Sequence, residues 1–287
     1  MASTIIGSIQ LNEDRLRKDL EIHKAFPLMK EEYDVFSSGI WQNCSLWNAS
    51  EDKGDTLFQD HVTDVKLTEY GNALSYIQEL VSTHFRFDNL IMVRTRNLID
   101  GMVIPHRDFV ELDKPVEQYY RVFVPLETNE DALHSDEEKV FNMRKGEVWH
   151  LDAALIHAAA NFSNNSRIFL CLDFSFDGPF HPKDIFRNEE EYQPSQMINQ
   201  LTLSKPDVEL EKELPATFAT ILTDYTFRDV LFLLSKIHFE QQIPIRAGYD
   251  WLVEAAQLTG DEKLYEKAQS VRDFLIHNRA FKESLTL

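Results

Sequence analysis

The stretch Val103-Ile104-Pro105-His106-Arg107-Asp108-Phe109-Val110 carries β-formers into a histidine and an aspartate two positions apart. Alternate residues of an extended strand share a face, so His106 and Asp108 project together while Arg107 points away. Working outward, other short runs rich in Val, Ile, Phe and Tyr follow one another. They are Leu90 to Leu98, Gln118 to Leu126, Val140 to Met143, Glu147 to Leu151 and Arg167 to Phe176. Arg144-Lys145-Gly146 supplies a turn between two of them. Many short strands at close spacing predict a barrel or jelly roll.

Two histidines and one carboxylate on one face, with three positions left open, form the donor set of non-haem iron(II) sites. His106 and Asp108 offer two of these donors, and His157, on a later segment, offers the third. Arg167 begins the strand after it, placed to return beside the metal and pair with a carboxylate in bidentate fashion. The motif is weak by itself. Ten histidines and 48 acidic residues give ~2 cases of His-x-Asp/Glu by chance, and the chain has four.

The rivals are His134/Asp136, His150/Asp152 and His238/Glu240. His238 lies in an apolar helical segment, where residues two apart face different ways. His134 falls in the polar run Asp131 to Lys139, read as a loop. His150 ends a strand and is the serious competitor. Strand context together with His157 and Arg167 favours His106/Asp108. A hydrogen-bonded core histidine, or an ordinary surface arginine, is the plainer alternative for each residue.

Before this region, the spacing predicts a short strand at Ser8 to Leu11 and a helix at Glu13 to Lys24 capped by Asn12. A second helix is predicted from Thr68 to His84, where Tyr70, Leu74, Ile77 and Val81 recur at helical spacing. After Phe176 the chain is punctuated by Asp, Gly and Pro. It then turns helical, with Phe227 to Phe239 apolar and Tyr249 to Leu258 and Glu262 to Phe281 amphipathic. The expected organisation is a main domain over 1–180, a connecting segment over 181–205 and a small helical domain over 206–287.

Longer stretches resemble the bacterial free-L-proline 3-hydroxylases, a family of iron(II)/2-oxoglutarate-dependent amino-acid hydroxylases. The resemblance is carried by Glu31 to Gly39, Arg94-Thr95-Arg96-Asn97, Ile104 to Asp113, Leu151 to His157, Asn161-Phe162-Ser163, Asp173 to Gly178 and Phe227 to Lys236. The last of these lies in the helical tail, so the match extends beyond a shared barrel. The resemblance implies a mainly β fold, a double-stranded β-helix (jelly-roll, cupin-like) core with an α-helical C-terminal domain. It implies His106, Asp108 and His157 as iron ligands and Arg167 as the anchor for the distal carboxylate of 2-oxoglutarate, with O2 as co-substrate. The expected reaction is L-proline to cis-3-hydroxy-L-proline, with succinate and CO2 released. Alternatives are L-pipecolate or L-lysine as substrate, a protein or peptide hydroxylase, or a non-catalytic metal-binding jelly roll.

A free amino acid needs a cation for its carboxylate. Arg94, Arg96 and Arg121 are candidates, each with a rim salt bridge as the alternative. His134 is a candidate contact for a co-substrate carboxylate, and Trp149 for the pocket wall, though a core aromatic is its default role. Glu32, Tyr33 and Asp34 are weaker candidates for the amine.

Composition limits the partners. A net charge of −19 repels nucleic acid, yet a few local arginines still serve a small anion. No apolar run approaches the ~18 residues of a membrane span. Cys44 and Cys171 read as reduced thiols of a cytoplasmic enzyme. A homodimer is compatible with these features and is not read from them.

Overall fold

The computed structural model describes residues 3–29, 32–58, 64–109, 114–137, 139–195, 199–279 and 283–287, without the side chains of residues 32 and 33. Glu31 and the candidate side chains of Glu32 and Tyr33 therefore lie outside the described residues, and Asp34 is exposed.

Two antiparallel sheets face each other. One contains β1 (Thr4–Ser8), β2 (Ile40–Asn48), β3 (Lys66–Leu67), β4 (Leu90–Ile99), β6 (Tyr119–Pro125), β9 (Glu147–Leu151) and β11 (Ile168–Ser175), in the order β1-β9-β6-β11-β4-β2-β3. The other contains β5 (Gly101–His106), β7 (Ala132–Asp136), β8 (Lys139–Asn142), β10 (His157–Asn161) and β12 (Asn199–Gln200), in the order β12-β8-β7-β10-β5. This is the jelly-roll arrangement.

Residue alternation assigns each strand's two faces to different cores. Leu170, Leu172, Val122 and Val124 point outward into a cluster with Leu16, Leu20, Ile77 and Val81. Those last four come from the helices α1 (Glu13–Lys24) and α3 (Ser75–His84), the latter preceded by the short α2 (Glu69–Ala73). Phe169, Cys171, Tyr119, Phe123, Phe141 and Trp149 point inward and fill the space between the sheets. The outer face of the smaller sheet, with Leu133, Val140, Ala158 and Ala160, packs against α5 (Phe227–Lys236) and α6 (Ala247–Thr259). Between α5's predecessor, α4 (Val208–Ala219), and the terminal α7 (Glu262–Arg272), these helices form a fourth layer.

The Asn12 cap stands as read: its side chain accepts from Arg15 N, satisfying a first-turn donor. Other expectations need correcting. The first strand is Thr4–Ser8 and not Ser8 to Leu11, because Ile9 already bonds across to Gly146 O and the next residues lead into the cap. The helix expected over Thr68 to His84 breaks at Leu74 (φ −105°, ψ 73°), a fully buried residue that restarts the chain as α3.

Asp131 to Lys139 is a hairpin and not a loop. Its polar residues alternate, His134 and Asp136 toward the interior and Ser135 outward to His238. The metal-motif strand ends at His106, since Arg107 N and Asp108 N bond outside the sheet, to Leu275 O and Ala153 O. Val110 lies outside the described residues. The strand β10 carried no β-forming signal in its His-Ala-Ala-Ala-Asn sequence; alanine is a poor strand former, and the strand is set by its pairing with β5 and β7 on either side.

Candidate active site

His106 ends β5, His157 begins β10, and the two are paired in register. Asp108 follows two residues on, its N–H held by Ala153 O at 2.7 Å. One ligand-capable atom from each of His106, Asp108 and His157 lies within 4.8 Å of the others, and all three residues are buried. Each histidine donates Nδ1–H to a backbone carbonyl two residues before it, His106 to Ile104 O (2.9 Å) and His157 to Leu155 O (3.0 Å). A carbonyl only accepts, so these bonds fix the tautomer and leave the Nε2 lone pairs facing Asp108. Those Nε2 atoms stand 3.6 and 3.9 Å from the Asp108 oxygens. An ion about 2.1 Å from each donor requires separations of no more than about 4.2 Å, and both histidine-to-carboxylate separations meet that limit.

Electrostatics keep the donors ready to bind. Burial, with a smaller contribution from His157, pushes His106 down to about 3, so it stays neutral. Burial likewise lowers His157. Burial alone would raise the Asp108 carboxyl, but Arg121 and then the two histidines outweigh it and hold it well below its usual range. Arg121 donates from Nη1 to Asp108 and from Nε to Asp173 (2.6 Å). Asp173, 1% exposed, also accepts from Arg94, whose Nη1 reaches Thr56 O.

Deeper in, Arg167 is 4% exposed and its guanidinium lies 4.0 Å over the Phe169 ring. Among the described residues it has no ion-pair partner, and its Nε has no hydrogen bond. Burial, and then the charge of Arg96, pull it down to about 9. Neither ring nitrogen of the buried His134 has a partner among the described residues. Its ring stacks 6.2 Å from that of His157, and burial followed by the Arg167 charge drives its pKa far down. A buried cation without an ion-pair partner and a buried imidazole without a hydrogen-bond partner, among the described residues, suit an anionic ligand.

The sequence candidates thus separate by position. Arg94, Arg96, Arg121, Arg167 and His134 all reach the inner face near the metal donors. Trp149 is set back, stacked on Phe141, with its indole N–H donating to Glu147 at 2.8 Å. The rival histidines have other work: His150 stacks on Tyr120 at 3.9 Å, and His238 bridges Ser135 and Ile243 O. Asp173 was not singled out from the sequence. Its signal was available, because an aspartate inside the apolar strand Ile168–Ser175 needs buried cations to pay for it.

Comparison with known proteins is informative over the whole length. A family model for aspartyl/asparaginyl beta-hydroxylases matches residues 10–176, and one for the L-proline 3-hydroxylase C-terminal region matches residues 182–283. L-proline cis-3-hydroxylase 2 of Streptomyces sp is 43% identical over 100% of this chain and 99% of its own length. The chain belongs to the L-proline hydroxylase family. Within that family, L-proline cis-3-hydroxylase 1 of Streptomyces sp is 40% identical, and L-proline cis-4-hydroxylase of Rhizobium meliloti (strain 1021) is 31% identical, each over 100% of this chain. As a member of the L-proline hydroxylases the protein is a dioxygenase, and no helix among its described residues is long and apolar enough to cross a membrane.

Proposed function

We propose that the protein hydroxylates free L-proline at C3 with cis geometry, using iron(II), 2-oxoglutarate and O2. The observation that carries this reading is the convergence of His106, Asp108 and His157 beside a buried Arg167 that has no counter-ion among the described residues. The identity to L-proline cis-3-hydroxylases over the full chain supports the regiochemistry.

His106 Nε2, His157 Nε2 and an Asp108 oxygen would hold iron(II) on one face. When bound, the iron supplies the oxygen-activating chemistry that is coupled to decarboxylation of 2-oxoglutarate to succinate and CO2. Arg167 receives the far carboxylate of 2-oxoglutarate, with His134 lying alongside. Arg121 and Arg94 are committed to Asp108 and Asp173, so they set geometry. Arg96, buried on β4, bears electrostatically on Arg167 and, more weakly than their other neighbours do, on Asp108, His157 and His134. Arg96 takes the substrate carboxylate in this reading. The bound amino acid is then oriented so that one C–H bond faces the metal.

The test is incubation of the protein with iron(II), 2-oxoglutarate and L-proline, followed by mass spectrometry and NMR of the product. A product one oxygen heavier, with the hydroxyl on C3 and cis to the carboxylate, is expected. A hydroxyl on C4 assigns the regiochemistry of the 31% identical relative instead. No oxygen gained by proline, pipecolate or lysine overturns the amino-acid hydroxylase reading.

A further inference from the structure

The metal-bearing strand β5 lies at the edge of its sheet, paired on one side only, with β10. Its outer edge is covered first by the segment 36–38, through Ser38 N to Met102 O (2.8 Å) and Ile104 N to Phe36 O (3.1 Å). That cover stops one residue before Pro105. Proline offers no N–H, so β5 lacks one backbone donor immediately before the ligand His106, where its register with β10 shifts.

From Pro105 onward the anchors come from the C-terminal helices. The buried Tyr249 of α6 donates its hydroxyl to Pro105 O at 2.5 Å. After α7 the chain widens into a π-helical turn, Asp273–His277, of the kind often found at functional sites. In that turn Leu275 O accepts from Arg107 N at 2.9 Å, and His277 O accepts from Arg107 Nη1 at 3.3 Å. Arg107 Nε also donates to Ala154 O at 2.6 Å, three residues ahead of His157. The residue between the two first ligands therefore ties the end of β5 both to the approach of the third ligand and to the helices.

We propose that the C-terminal helices are a positioning clamp for the metal centre, with Tyr249 and Arg107 as its positioning residues. The clamp rests on the metal reading of His106, Asp108 and His157. It fixes the backbone on either side of His106, and so the distance between the donors on β5 and the donor on β10. Losing either residue loosens the donor set without removing a ligand.

The test measures Mn2+ affinity of the full chain, by the electron paramagnetic resonance signal of free Mn2+, for wild type, Tyr249→Phe and Arg107→Gln. Outer-shell partners of metal ligands are worth about 10–100-fold in affinity, and one step further out the low end, about tenfold, is expected for each variant. Succinate formed per hydroxylated product should also rise, because a loosened donor set wastes turnovers. Leu80→Ala is the control. Leu80 is buried on α3, in the cluster on the outer face of the larger sheet and apart from the C-terminal helices, so it lowers the thermal midpoint while leaving Mn2+ affinity unchanged. Unchanged affinity in both Tyr249→Phe and Arg107→Gln overturns the clamp. Equal affinity losses in Leu80→Ala and Tyr249→Phe also overturn it, since general destabilisation would then explain both. Absence of Mn2+ binding by the wild type overturns the metal reading, and the clamp falls with it.

Discussion

Arg121 grips Asp108, the one carboxylate among the three metal donors, and with its Nε holds Asp173 at 2.6 Å. Oδ2 of Asp108 is thereby occupied by a guanidinium, which keeps the carboxylate charged, while Oδ1 stands 3.6 Å from His106 Nε2.

Replacing Arg121 by Met leaves two buried carboxylates with fewer counter-charges. Breaking a buried pair by removing one partner typically costs about 3–5 kcal/mol. Arg121→Met is therefore expected to lower the unfolding free energy by that order and to weaken Mn2+ binding about tenfold or more. Equilibrium denaturation and Mn2+ titration measure the two effects separately.

Arg167 makes a different prediction, because it has no ion-pair partner among the described residues. Truncation to Met should leave folding intact or improved, since an uncompensated buried charge is removed. Affinity for 2-oxoglutarate should fall by roughly 2–5 kcal/mol, or 30-fold and more. The KM for L-proline should move far less. Steady-state kinetics with each substrate varied in turn distinguish this from a general loss.

Much of this site was legible before folding, for identifiable reasons. His106 and Asp108 announce themselves because a strand puts alternate residues on one face, and Arg94 and Arg96 point inward by the same rule. What escaped was set by tertiary context. His134 looked like a loop residue because Asp131, Ser135, Asp136 and Glu137 surround it, yet the hairpin buries it beside Arg167. The strand His157–Asn161 hid behind alanines, poor strand formers that are held extended by pairing with β5 and β7. Tyr249 and Leu275 reach β5 across more than 140 residues of chain, a contact that no local pattern encodes.

Acid should destabilise the protein in a window set partly by His23. This side chain, buried against Thr95 Oγ1 at 2.6 Å, is lowered by burial to about 4. Between about 6.5 and about 4 the unfolded chain binds the extra proton and the folded chain does not. Stability is thus fully present above the upper value and is lost as pH falls, by up to about 1.4 kcal/mol per unit for this residue. His23→Gln, which can keep a bond to Thr95, should flatten the pH dependence of the urea midpoint over that range. An unaltered slope would remove His23 from the account.

Ligands should stabilise the fold in a defined order. Mn2+ at about 100 times its dissociation constant adds about 2.7 kcal/mol, a rise in Tm of roughly 5 °C for a chain of this size. 2-Oxoglutarate should add a further rise only when the metal is present. Asp108→Ala is expected to abolish the first shift and with it the second, and differential scanning calorimetry reads both.

The most direct test counts succinate and cis-3-hydroxy-L-proline in the same reaction, for wild type and for His106→Ala, Asp108→Ala and His157→Ala. Close to one succinate per hydroxyproline is expected in the wild type, and neither product in any ligand variant. Hydroxyproline from a ligand variant at the wild-type rate, or succinate that never accompanies a hydroxylated amino acid, would rule out iron-dependent proline hydroxylation at these three residues.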